Sequence, residues 1–295
     1  KRKMRNLLQL VKDALVPQSK KEWMISLVTI TVRNLSVMKK FYTQVLGLVV
    51  LQDFDNEILI GHSRGSVPLL RLVQGKGSKD SILTTYFIGF KLTKPFQMGE
   101  LINRLILEEQ TITATGFDGY TNNFYIMDPE GNRLKFMVDG ENGSELVDQY
   151  LEGTEINRSL HEFIDGVDAM VEEFPPTARI AQVHYNVSDV EETGAFLTNA
   201  FLFNTTYDYV TRRKNFKVNR DGYSLAINAW EFIPHSHQDF YGISEIEWRV
   251  PNMRELENLV LNLESKKVPF HYYDAVLKVP TANGIQYCFK VGDHA

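Results

Sequence analysis

The stretch Val28 to Leu48, VTITVRNLSVMKKFYTQVLGL, decides the reading, because the chain writes it twice. Val28, Ile30, Val32, Asn34-Leu35, Phe41-Tyr42 and Leu46-Gly47-Leu48 recur as Val183, Tyr185, Val187, Asp189-Val190, Phe196-Leu197 and Phe201-Leu202-Phe203, each 155 residues further on. The same offset relates Met98, Glu100 and Leu101 to Met253, Glu255 and Leu256. Two distant segments sharing one offset imply a duplicated module, and two copies imply a two-domain chain rather than a solenoid. Within each copy, alternating β-branched residues predict a strand with one apolar face. Asn34, or Ser188-Asp189, offers a helix cap, and Leu35, Met38, Phe41-Tyr42 and Val45 follow at helical spacing. Gly47 stands where that helix would end, and Leu48 to Leu51 restarts an extended run.

Working outward, the first module spans residues 23–139. Further strands are predicted at Ile58 to Ile60, Pro68 to Val73, Tyr86 to Leu92 and Phe124 to Met127, with a helix from Met98 to Leu107. Asp128-Pro129-Glu130-Gly131-Asn132 reads as a tight turn before a closing strand, Arg133 to Val138. Residues 140–177 form a connector with helical pieces at Leu146 to Leu151 and Leu160 to Val171. The second module, residues 178–295, repeats the plan and closes on a strand from Gly284 to Val291. The fold class is therefore α+β, built of tandem βαβββ units.

Composition narrows the function classes. The 295 residues are 43% hydrophobic and 23% charged, as in an ordinary globular chain. The net charge of −5 hides a basic segment: residues 1–21 hold seven Lys/Arg against one Asp, leaving the body strongly acidic. An acidic body argues against nucleic acid as the partner. The single cysteine, Cys288, excludes an internal disulfide and fits a reducing, cytoplasmic compartment. No apolar run reaches membrane-spanning length. Residues 1–22 read as a basic amphipathic helix; a membrane or partner contact is its functional reading, and docking on its own protein the plainer one.

Several motifs now carry a resemblance. The duplicated unit with Phe41-Tyr42 and Leu46-Gly47-Leu48, Gly116-Phe117-Asp118-Gly119 leading to the 128–132 turn, Asn228-Ala229-Trp230, and the connector around Ser159-Leu160 resemble the vicinal oxygen chelate superfamily. That superfamily holds the glyoxalases and extradiol dioxygenases, and the chain looks most like the two-module catechol-2,3-dioxygenase-like proteins. The resemblance implies sheets curled into cups, with a divalent metal held by residues from the first and last strands of the units, usually His, His and Glu.

Strand parity lists the faces opposite the helices. The family's ligand positions in module one fall on Leu27, Phe87 and Lys135. None has a lone pair to give, so no metal site is expected there. In module two they fall on Gln182, Glu245 and Cys288, a departure from the family's usual set whose donors could still take zinc or, less well, iron. The cup lining is expected to include Arg133 beside Lys135, and His184, Asn186, Glu247, Arg249 and Gln286, with Arg249 pairing Glu245 and Glu247. Arg133 and Lys135 would need an anion or a neighbouring carboxylate. His184 reads more simply as a hydrogen-bonded lining residue, and Cys288 as a small buried hydrophobe. His235 and His237 could grip a metal but read better as a solvated loop; His62 and His161 show no partner pattern. Gly119 stands where the family carries a histidine, and the histidine-rich segment before Asn228 is reduced to Gly222-Tyr223-Ser224.

Three functions compete: a metal-dependent ring-cleaving or glyoxalase-type enzyme with an atypical Gln/Glu/Cys site, a small-molecule binding module with degenerate metal positions and no cofactor, and a partner-binding protein using the N-terminal helix. The binding module accounts best for the site chemistry. Its ligand would be a small aromatic or dicarbonyl compound.

Overall fold

The computed structural model describes residues 23–76, 82–140, 156–205, 212–218, 224–229 and 240–292. The N-terminal segment, the 146–151 helix, Trp230, His235 and His237 lie outside the described residues. Four βαβββ units follow one another. The first is β1 (Met24–Val32), α1 (Leu35–Lys40, continued as a wider turn of helix through Phe41–Val45), β2 (Val49–Phe54), β3 (Glu57–Gly61) and β4 (Pro68–Gln74). A short β5 (Ile82–Leu83) precedes the second: β6 (Thr85–Lys91), α2 (Pro95–Leu107), β7 (Ala114–Phe117), β8 (Thr121–Met127) and β9 (Arg133–Asp139). The connector contributes β10 (Ile156–Asn157) and α3 (His161–Ile164). The third unit is β11 (Arg179–Asn186), α4 (Val190–Phe201), β12 (Asn204–Thr205), β13 (Arg213–Lys217) and β14 (Leu225–Asn228). The fourth is β15 (Phe240–Val250), α5 (Met253–Ser265), β16 (His271–Tyr273), β17 (Val276–Pro280) and β18 (Gln286–Val291). Among the described residues, no helix is long and apolar enough to cross a membrane.

The local grammar is the predicted one. Val28, Ile30 and Val32 on β1 are fully buried on the helix side. The Asn34 side chain accepts from Val37 N at 3.1 Å and Asp189 from Glu192 N at 2.8 Å, each satisfying an orphan donor of the first turn. Gly47 ends the first helix with φ +77°, and a Cβ there would meet Phe174 N at 3.1 Å. Its counterpart in the repeat, Leu202, takes the same left-handed conformation at φ 58° without glycine's freedom. The connector helix is shorter than predicted: it stops at Ile164, because Gly166 turns left-handed at φ 72°.

The pairing of units departs from the sequence order. One sheet runs β16-β17-β18-β15-β1-β4-β3-β2, with β5 beside β15; the other runs β10-β7-β8-β9-β6-β11-β14-β13-β12. Unit one therefore shares a sheet with unit four (sheet I), and unit two with unit three (sheet II). The seams are antiparallel, β1 against β15 and β6 against β11. Each cup thus draws on both sequence modules, so ligand positions grouped within one module need not share a cup.

The modules cohere on the helix side instead. Arg104 of α2 donates to the carbonyls of Val45 and Glu172 at 2.8 and 2.7 Å, fastening α1 and the connector to α2. Glu130, in the β8–β9 turn, accepts from the backbone of Arg33 and Asn34 at 2.7 to 2.9 Å. In the second module Asn262 of α5 donates to Asn199 O and Ala200 O at 2.9 and 2.8 Å, and the Tyr185 and Tyr287 hydroxyls hydrogen-bond at 2.8 Å.

Candidate binding cup

Register on sheet II brings together residues taken from both modules. Gln182 lies opposite Gly89 and His184 opposite Phe87 across the β11–β6 seam, while Lys135 on β9 neighbours Gly89. Gly89 has to be glycine here: a Cβ would sit 2.5 Å from the Met137 methyl and 3.0 Å from the Gln182 Cβ. Among the described residues Lys135 is the most deeply placed cation, its side chain only 2% exposed. Its ammonium donates to Asp118 Oδ2 at 2.7 Å and lies 5.5 Å from the Phe87 ring centroid and 5.8 Å from that of Tyr125. The carboxylate required by the sequence is therefore Asp118. It also accepts from Thr121 N at 2.7 Å, Tyr120 N at 3.1 Å and Thr121 Oγ1 at 2.9 Å. Burial pushes its pKa up, but Lys135 and these donors outweigh burial and hold it below the usual carboxylate value.

His184 packs against Tyr86 and Phe87, with ring centroids 4.5 and 5.1 Å away, and its Nε2 lies 3.0 Å from Asn228 Nδ2. That contact needs Nε2 as the acceptor, which fixes a neutral imidazole. Burial, together with the charges of Arg213, Lys135 and Arg133, pushes its pKa well below the usual value. Buried acceptors in the same cup, Gln182 Oε1 and Asn123 Oδ1, have no hydrogen-bond partner among the described residues. A hollow of about 200 Å³ opens beside this cluster, lined by Tyr86, Phe87, Thr113, Ala114, Tyr125 and Arg133. A larger hollow of about 520 Å³ at the β2–β3 edge of sheet I is lined by residues such as Leu51, Leu59 and Arg64, and by none of the ligand-position residues.

Sheet I holds the remaining predicted residues. Glu247 lies opposite Leu27 and Cys288, and Glu245 opposite Thr29 and Gln286. Glu247 accepts from Ser26 Oγ at 2.5 Å and pairs with Lys290 at 2.8 Å. Glu245 accepts from the Gln286 amide and, at 3.4 Å, from Lys278. The expected Arg249 pairing is thus corrected: lysines on β17 and β18 pair with the carboxylates, and Arg249 Nε has no hydrogen-bond partner among the described residues. Burial, and then the charges of Glu247 and Glu245, push the Cys288 thiol up to about 12. Most importantly, Gln182 belongs to the other sheet, so Gln182, Glu245 and Cys288 do not share a cup. The cup residues split likewise: Arg133, Lys135 and His184 on sheet II, Glu247, Arg249 and Gln286 on sheet I.

Tyr86 and Tyr125 were not singled out from the sequence, and Asp118 was noted only as a motif residue. The signal for Tyr125 was available. Counting outward from the 128–132 turn places Tyr125 opposite Lys135 on the β8–β9 hairpin, as observed.

No protein-family model matches the chain. A catechol-2,3-dioxygenase of Bacillus subtilis (strain 168) is 25% identical over 246 residues, covering 79% of this chain and 84% of that protein. Among solved structures, glyoxalase I from Zea mays aligns over 92% of both chains with a TM-score of 0.54 at 12% identity. The cppA protein of Streptococcus pneumoniae TIGR4 aligns over 90% of this chain and 97% of its own, with a TM-score of 0.56 at 12% identity. The fold is that of the vicinal oxygen chelate superfamily. A vicinal oxygen chelate cup implies a divalent metal, and the donors here do not fit one. In the sheet II cup the ligand positions hold a phenyl ring, an ammonium and an amide. In the sheet I cup both carboxylates are engaged by lysines and the thiol is protonated. Among the described residues, no three His, Cys, Asp or Glu side chains cluster so as to hold a metal ion.

Proposed function

We propose that this chain is a vicinal oxygen chelate protein whose sheet II cup binds a small aromatic molecule without ring-cleavage chemistry. The observation that carries this reading is Lys135, buried and paired with Asp118 beside Phe87. A fixed ammonium where a carboxylate ligand is expected repels a divalent cation, and an uncharged ring beside it offers no donor. Around it the cup keeps what a ligand pocket needs, aromatic walls and a few convergent polar groups. Extradiol cleavage needs iron with open positions beside fixed ligands, and the cup has neither those ligands nor the usual nearby histidine. The acidic body counts against nucleic acid as a partner.

The test is anaerobic reconstitution with ferrous iron, followed by a catechol ring-cleavage assay and thermal denaturation with small aromatics. The reading expects no cleavage, and stabilisation by aromatics. Turnover that rises with iron would overturn it. The similarity to a catechol-2,3-dioxygenase favours a second reading, a metal-dependent enzyme using Glu245 and Cys288. Under that reading, Glu245→Ala would abolish an iron-dependent turnover.

A further inference from the structure

Three cations line the β6 and β9 strands of the sheet II cup, and two of them have carboxylates. Lys135 has Asp118 at 2.7 Å and Lys91 has Asp139 at 2.8 Å. The third, Arg133, is half-buried and forms no ion pair among the described residues; its guanidinium carbon lies 5.1 Å from the Tyr86 ring centroid. It lines the hollow of about 200 Å³ together with three aromatic rings, Tyr86, Phe87 and Tyr125. A guanidinium in a partly desolvated, ring-walled hollow is matched by a planar anion that it can grip with two parallel hydrogen bonds.

We infer that this hollow selects a small aromatic carboxylate, its ring lying among Tyr86, Phe87 and Tyr125 and its carboxylate on the Arg133 fork. The inference rests on the binding function proposed above and names its ligand class. A cationic ligand would meet the like charge of Arg133, which has no ion pair among the described residues. A neutral aromatic would fill the hollow but leave the guanidinium without a counter-charge. The depressed basicity of His184, to which the charges of Arg213, Lys135 and Arg133 contribute, is consistent with a positive local field.

Calorimetric titration of the full chain at low salt with benzoate and with benzamide, its neutral analogue of the same shape, separates the possibilities. Benzoate should bind at least about tenfold more tightly, which is about 1.4 kcal/mol, and its affinity should weaken with added salt. Arg133→Gln should remove that preference, and Arg133→Lys, which keeps the charge but not the fork, should restore part of it. Equal binding of benzoate and benzamide by the wild-type chain would overturn the carboxylate inference while leaving aromatic binding intact. Binding of neither would overturn both. The wild-type comparison decides even if Arg133→Gln does not fold.

Discussion

Removing either partner of the Lys135–Asp118 pair should cost stability, and not equally. Asp118→Asn strips the counter-charge from an ammonium whose side chain is 2% exposed, whereas the Asp118 side chain is 22% exposed. Breaking a buried ion pair by removing one partner costs on the order of 3–5 kcal/mol, so Asp118→Asn should fall in that range. Lys135→Met leaves a carboxylate that still accepts from Thr121 N, Tyr120 N and Thr121 Oγ1 and has some access to water. It can also escape by taking up a proton, so about 2 kcal/mol is expected. The double variant should be less destabilised than the sum of the singles by roughly 1–3 kcal/mol. Urea denaturation of the four proteins gives the cycle, provided the slope of each transition is unchanged. A coupling below about 0.5 kcal/mol, or Lys135→Met costing more than Asp118→Asn, would refute the reasoning.

Two further outcomes follow from buried titrating groups. Burial raises the Asp128 carboxyl from 3.8 to about 6, outweighing its hydrogen bonds from Asn132, Glu130 N and the Tyr42 hydroxyl. The folded chain then holds this proton to a higher pH than the unfolded chain, so Asp128 makes stability fall as pH rises from about 4 to about 6. Asp128→Asn should gain on wild type by up to roughly 3 kcal/mol between those limits, measured by urea denaturation at each pH; a constant difference would contradict the assignment. Cys288, buried and with its thiol raised to about 12, should resist iodoacetamide in the native protein at mildly alkaline pH and react once unfolded. Rapid labelling of the folded chain would show the thiol to be exposed or ionised.

Much of this architecture was legible because its signals are local. The 155-residue offset exposed the repeat, alternation at Val28, Ile30 and Val32 marked the buried face, and Gly47 marked a left-handed helix end. Parity placed Lys135, His184 and Gln182 on the cup face, where sheet II holds them. What could not be read was which first strands meet. The repeat is indifferent to whether β1 finds β6 or β15, since each would supply an antiparallel seam of similar apolar pattern. That choice depends on contacts more than 200 residues apart in sequence, such as Leu27 against Glu247. The error over Gln182, Glu245 and Cys288 follows directly from it. Arg249 failed for a smaller reason: Glu247 is met by Lys290, diagonal to it on β18, and Glu245 by Lys278 on β17, two strands away, and parity along β15 alone shows neither.

The central claim is that neither cup keeps a metal-binding set: sheet II offers Phe87, Lys135 and Gln182, and sheet I offers carboxylates held by lysines beside a protonated thiol. Elemental analysis of the purified, untagged protein after dialysis against zinc and ferrous iron tests it most directly. The account predicts far less than one equivalent of either metal per chain, unchanged in Glu245→Ala and Gln182→Ala. One equivalent retained by the wild-type chain and lost in either variant would contradict it.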